Sequence, residues 1–238
     1  MGGDPLRGDR REGRDVTARS FAVLGASGLV GGHLVRALAA DPRYARGTLI
    51  GRRVTGAVEE GRVTEVIVDF DHLEGARRHL VVDDVFCCLG TTIKQAGSQE
   101  AFRKVDCDIP LAIGREARAA GTRQFLIVTA VGADVASRVF YNRVKGDVEA
   151  GLAALDFPGG LQVFHPSILV GHREEPRRGE RIAMALMNAT RPLFGGGLAR
   201  YRAIGAEEVA RAMHRAAFKP ATPGVHVYEG TSLFALAG

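Results

Sequence analysis

The chain has 238 residues, 46% of them hydrophobic and 25% charged, ordinary globular values with enough length to bury a substantial core. Its formal charge of +5 and pI near 9.4 come from arginines dispersed among acids, with only 6% aromatics, so a solvated surface is expected and not a nucleic-acid interface. No apolar run approaches the roughly 20 residues of a membrane span and no signal peptide precedes the first apolar segment; three cysteines, two of them adjacent (Cys87, Cys88), give neither a disulfide framework nor a metal-ligand spacing, so a reduced, cytoplasmic protein without a metal is expected.

Residues 1–19 hold five arginines and four acids among glycines and read as a flexible tail, leaving 20–238 as the folded domain. The run Phe21, Ala22, Val23, Leu24 reads as a strand covered on both faces, ended by Gly25. From Gly28 the period changes, with Val30, Leu34, Val35 and Leu38 on one face of a helix running to about Asp41. Gly25, Gly28 and Gly31 recur every third residue between the two elements, suiting a sharp turn, a backbone that a diphosphate can approach, and a helix packed close to the sheet. The helix N-terminus would then point free N–H groups at phosphate. The spacing is G-x-x-G-x-x-G and not the G-x-G-x-x-G of the dehydrogenase fingerprint, so the triplet draws its meaning from the strand before it and the helix after it.

Residues 47–51 predict a second strand ending at Arg52-Arg53, 63–70 a third ending at Asp69-Phe70, and 85–89 a fourth closed by Gly90-Thr91-Thr92. Helices follow over about 106–120 and 140–155, with strands at 125–128 and 161–164. The remainder is less regular: a loop at 172–180, a helix near 180–189, a glycine turn at 195–197, a helix near 206–217 and a strand near 225–229. Alternating strands and helices predict an α/β fold, a doubly wound, mostly parallel, Rossmann-like sheet in a single domain, with the C-terminal third folding over its open edge to shape a substrate pocket.

Two constellations carry chemistry. Arg52 and Arg53 stand where an NAD enzyme would offer a carboxylate to the adenosine ribose; two guanidiniums suit a 2′-phosphate instead, which favours NADP(H). Asp69 and Phe70 are candidates for the adenine. Tyr141 and Lys145 lie one helical turn apart, and a cation near a phenol stabilises the phenolate needed for acid/base work, while Thr129 ends the fifth strand twelve residues upstream of Tyr141.

On these residues the chain resembles the atypical short-chain dehydrogenase/reductases, in the branch that includes the Tat-interacting oxidoreductase-like proteins. The matching pieces are G-A-S-G-L-V-G (25–31), T-L-I-G-R-R (48–53), V-D-F (68–70), F-C-C-L-G-T-T (86–92), A-G (96–97), V-D (105–106), Y-N-R-V-K-G-D-V-E-A (141–150) and F-H-P-S-I-L-V (164–170). The resemblance implies that Ser27, Gly28, Leu29 and Val30 contact the diphosphate and that Arg52 with Arg53 holds the 2′-phosphate. It further implies that Leu89, Gly90 and Thr91 line the nucleotide, that Tyr141 and Lys145 are the catalytic pair, and that Leu169 and Arg177 close over the nicotinamide half. Two departures stand out: Thr129-Ala130 replaces a more usual Ser pair, and His165 precedes Pro166 where Arg is common.

The expected activity is hydride transfer between nicotinamide and a carbonyl or alcohol of a small molecule. Tyr141 would move the proton, Lys145 would assist it and hold the ribose, and Thr129 would orient the substrate oxygen. The alternatives are a non-catalytic NADPH-binding regulator with a protein partner, or a sugar-nucleotide epimerase, which the arginine pair disfavours. A homo-oligomer is left open, and neither nucleic acid nor membrane is an expected partner.

Overall fold

The structure is a computed structural model, and it describes residues 18–56, 61–170 and 202–238. Seven parallel strands form one sheet in the order β3-β2-β1-β4-β5-β6-β9: β1 (Arg19–Leu24), β2 (Tyr44–Gly51), β3 (Val63–Ile67), β4 (Asp84–Cys87), β5 (Gln124–Val128), β6 (Leu161–His165) and β9 (Val225–Glu229). A second, two-stranded sheet pairs β7 (Leu169–Val170) with β8 (Ile204–Gly205). The helices are α1 (Leu29–Ala40), α2 (Ile93–Ala96), α3 (Gln99–Arg103), α4 (Ile109–Ala119), α5 (Phe140–Ala153), α6 (Ala206–Ala217) and α7 (Gly230–Ala237).

Successive strand residues face opposite ways, and each central strand therefore feeds two cores. Phe21 and Val23 of β1, Phe86 of β4 and Leu126 of β5 pack on one face with the buried stripes of α1, α6 and α7. Ala22 and Leu24, Val85 and Cys87, Phe125 and Ile127 pack on the other with Phe102 of α3, Ile113 of α4, and Val144, Val148 and Leu152 of α5. This is the expected doubly wound α/β fold, with both faces covered because an all-parallel sheet buries both.

At the N-terminal edge of the central strands the buried carboxylate of Asp84 gathers Arg19, the Tyr44 hydroxyl at 2.6 Å and the Gln124 amide at 2.8 Å. Those contacts correct two boundaries. β2 begins at Tyr44 rather than 47, since its buried ring needs strand geometry to reach Asp84, and Arg19 belongs to β1 rather than to a tail. Residues 1–17, the loop at 172–180, the helix near 180–189, the turn at 195–197 and Arg177 lie outside the described residues.

Other differences have local causes. β3 stops at Ile67 and β4 at Cys87, each short of the expected 70 and 89, because β2 and β1 beside them end at Gly51 and Leu24. The segment 93–103 lacks a helical apolar period, yet it forms two short helices: the Thr92 hydroxyl accepts from the Gln95 amide at 3.1 Å, the Ser98 hydroxyl from the Ala101 amide at 3.1 Å, and Gly97 at φ +87° separates them. The expected helix from 106 is thus a continuation. α3 passes through a π-helical turn, Lys104–Asp108, into α4.

Candidate functional site

In this strand order the sequence runs outward in opposite directions from the β1/β4 boundary, and a crevice opens there beyond the C-terminal ends of the strands. Gly25, at φ +81°, makes the turn out of β1; a Cβ on it would stand 2.6 Å from the Cys88 carbonyl oxygen. A Cβ on Gly31 would stand 2.0 Å from the Gly25 oxygen, so α1 packs directly on the turn. Gly28 differs. Its backbone is extended, at φ −79° and ψ 169°, and the nearest atom to a Cβ there is the Gly25 oxygen at 3.1 Å. α1 starts at Leu29 with no side-chain cap and no acid in its first turn, so its first N–H groups and the positive end of its dipole face the crevice. That local chemistry fits a diphosphate.

On one side of this turn, a cavity of about 350 Å³ is lined by Gly25, Ala26, Ser27, residues 49–53, Thr55, Glu65, Phe70 and Leu89. Arg52 and Arg53 are exposed at its rim, just after β2. Phe70 lines it, whereas Asp69 does not: the Asp69 carboxylate is taken by the His72 ring at 3.0 Å and the Asp71 amide at 2.9 Å. Glu65 enters beside it from β3, holding the Thr55 hydroxyl at 3.0 Å.

On the other side a second cavity, of about 320 Å³, brings together Gly28, Leu29, Val30, Leu89, Gly90, Thr91, Thr129, Tyr141, Lys145 and Leu169. Leu89 borders both cavities. Of the described residues expected to form a site, all but Asp69 and Gly31 therefore line one or other half of a single crevice, with Gly31 seated behind the turn. Tyr141 leans on Phe102 of α3, ring centroids 5.4 Å apart.

Lys145 is buried, and its ammonium lies 2.8 Å from Oδ1 of Asp106. Asp106 Oδ2 accepts the Thr91 amide at 3.0 Å, so one carboxylate ties α5 to the loop after β4. Burial pushes the Asp106 carboxyl above its ordinary range, and the pull of Lys145 only partly offsets it. Asp106 is a buried residue of the π-helical turn between α3 and α4. Asp106 stands in the matched V-D pair, yet its role as partner of the lysine was not anticipated.

Glu149 was also missed, although Tyr141, Lys145 and Glu149 fall at successive four-residue steps of α5 and so on one face. Its Oε1 accepts the Thr129 hydroxyl at 2.5 Å and lies 2.8 Å from Nε2 of the buried His165, whose Nδ1 is 3.4 Å from Oε2 of Glu229. Burial opposes protonation of His165, but the carboxylates of Glu149 and Glu229 outweigh it and raise the ring's pKa above its ordinary value. The three cysteines are free thiols; burial pushes Cys87 up to about 12 and Cys107 up to about 11, far from the thiolate a nucleophile needs. No group of His, Cys, Asp and Glu among the described residues could hold a metal.

No family model matches the chain. Among solved structures, it is similar to UDP-glucose 4-epimerase from Thermotoga maritima with UDP-glucose (TM-score 0.65, 18% identity, 90% of this chain and 77% of that one). It is also similar to MoeE5 in complex with UDP-glucose and NAD (TM-score 0.64, 17% identity, 89% and 76%). At these identities the likeness establishes the Rossmann-like fold. Among sequences, it is 34% identical to the protein fmp52, mitochondrial, of Emericella nidulans, over 69% of this chain and 72% of that protein. It is 36% identical over 192 residues to protein HTATIP2 of Rattus norvegicus, covering 79% of this chain and 78% of that one. Identity of this degree over so much of both proteins means that the chain belongs to the HTATIP2/FMP52 family of atypical short-chain dehydrogenase/reductases.

Proposed function

We propose that the protein is an NADP(H)-dependent oxidoreductase acting on a carbonyl or alcohol of a small molecule. The observation that carries this reading is the single crevice in which the uncapped start of α1, the exposed Arg52-Arg53 pair, Tyr141 and the buried Lys145 meet. The first N–H groups of α1 would hold the diphosphate, and Arg52 with Arg53 the 2′-phosphate, through charge-assisted bonds. When bound, the nicotinamide supplies or accepts the hydride.

The chain's own residues handle the proton and the positioning. Tyr141 gives a proton to the developing alkoxide in reduction and takes one from the alcohol in oxidation. Lys145, fixed by Asp106, holds a positive charge beneath that side of the crevice where the oxyanion develops. Three free, reduced thiols suit a reducing compartment such as the cytoplasm, and a small molecule is the partner this crevice volume fits.

Turnover of a broad carbonyl and alcohol panel with NADP(H), in the parent and in Tyr141→Phe, tests the reading. The variant keeps the ring on Phe102 and loses only the proton, so kcat should fall on the order of 10²–10⁴-fold with NADPH affinity nearly unchanged. No turnover by the parent, or full kcat in Tyr141→Phe, would sink the mechanism; NADPH binding without turnover would favour a nucleotide-binding regulator.

A further inference from the structure

The Thr129 hydroxyl has a fixed hydrogen-bond direction. It lines the crevice, 5% exposed, and its oxygen lies 2.5 Å from Glu149 Oε1. The same Glu149 oxygen faces His165 Nε2 at 2.8 Å, and the other ring nitrogen faces Glu229 at 3.4 Å. Among the described residues, Glu149 from α5 and Glu229 at the end of β9 are the charged groups facing this ring. A carboxylate offers only lone pairs, so the ring nitrogen 2.8 Å from Glu149 carries a proton and donates it there. The oxygen that accepts this N–H, Oε1, is the same one that meets Thr129, and it has no proton to give. At the contact with Glu149, Thr129 is therefore the donor, and toward the crevice it presents lone pairs alone.

This has a consequence for the substrate. A hydroxyl that steadies a reacting carbonyl or alkoxide must donate to it, and Thr129 has spent its one proton. The reacting alcohol in turn must give its O–H to Tyr141. What Thr129 can accept is the O–H of a second group.

Resting on the oxidoreductase reading above, we propose that Thr129, held as an acceptor by Glu149 and His165, recognises a second hydroxyl beside the reacting carbon, so that the substrates are hydroxy-carbonyl compounds and the corresponding diols. Thr129 is the residue that meets that hydroxyl. Glu149 and His165 are positioning residues.

The experiment compares kcat/KM with NADPH for matched pairs, cyclohexanone against 2-hydroxycyclohexanone and butanone against 3-hydroxybutanone. The parent should favour the hydroxylated member by about tenfold, the worth of one neutral hydrogen bond in a partly open site. Glu149→Leu frees the Thr129 proton to turn into the crevice, so the preference should fall. Glu149→Gln keeps an acceptor oxygen and should keep the preference; Thr129→Val should lose it and Thr129→Ser retain it, which covers the case of a Leu variant that fails to fold. Turnover of both members by the parent without preference, or a preference that survives Thr129→Val, overturns this inference and leaves the oxidoreductase reading standing. Turnover of no member of these pairs or of the wider panel overturns both.

Discussion

Replacing Asp106 by Asn is the most demanding test of how the crevice is held. The substitution keeps the size of the side chain and the acceptor for the Thr91 amide, and it removes the charge opposite Lys145. The lysine side chain is only 5% exposed and its ammonium lies 2.8 Å from the carboxylate, so the variant strands a cation in a site that water scarcely reaches. Stranding one member of a buried pair costs about 3–5 kcal/mol. For a chain of this length each kcal/mol lowers Tm by about 2–4 °C, so the expected drop is roughly 6–20 °C. Asp106→Asn combined with Lys145→Met leaves no buried charge, and at least half of the lost stability should return. Thermal melts of the parent, both single variants and the double variant read the coupling directly. A loss under about 1 kcal/mol in Asp106→Asn, or a double variant no more stable than that single one, would show that the pair is not the brace described here.

Arg52→Ala with Arg53→Ala should erase most of a preference for NADPH over NADH of about 1.5–3 kcal/mol, roughly ten- to a hundredfold, while barely touching NADH; equal affinities in the parent would end the NADP assignment. Both side chains are exposed, so the lower end of that range is expected, and it should shrink further in high salt. Gly28→Val should leave the circular dichroism unchanged, because the backbone there is extended, and abolish binding of both nucleotides; normal NADPH binding would make the loop a plain turn. Asp41 closes α1, and its carboxyl is held well below the usual range chiefly by its hydrogen bonds to Arg43, with His214 adding to the effect at 2.6 Å. Its stabilising contribution is therefore complete above the ordinary value of 3.8 and is lost as pH falls through the depressed folded value. Asp41→Asn should cost about 1 kcal/mol at pH 7, since Arg43 is half exposed, and the gap to the parent should close in acid; a gap independent of pH counts against the assignment.

The sheet and its main helices were readable because local pattern and tertiary environment agree. Phe21 to Leu24 is apolar at every position and is covered on both faces; Val144, Val148 and Leu152 keep a helical period and pack as one stripe. Where the two sources of order part, the reading lost detail. Residues 93–103 are helical through the capping hydroxyls of Thr92 and Ser98 and not through an apolar period, and α7 (Gly230–Ala237) follows β9 so directly that no turn residue marks its start beyond Gly230 at φ +48°. Strand ends were overrun wherever apolar residues such as Val68 and Leu89 continued past the last paired partner, since pairing is set by the neighbouring strand and is invisible in the strand itself.

The crevice divides along a similar line. The residues that a backbone turn or a helical step fixes, Gly25, Gly28, Tyr141 and Lys145, could be named from spacing, because four residues on a helix or three in a turn decide where they point. The residues that set the charges could not, since each partner comes from a different element. Asp106 reaches Lys145 from within a π-helical turn, and nothing in K-V-D-C-D announces that turn. His165 bridges Glu149 of α5 and Glu229 of β9, which are 80 residues apart in sequence. A strand-ending hydroxyl could be recognised as a crevice group from sequence, but the direction of its hydrogen bond depends on whether a carboxylate stands behind it, and that carboxylate is supplied by a helix face whose third step, after Tyr141 and Lys145, is Glu149.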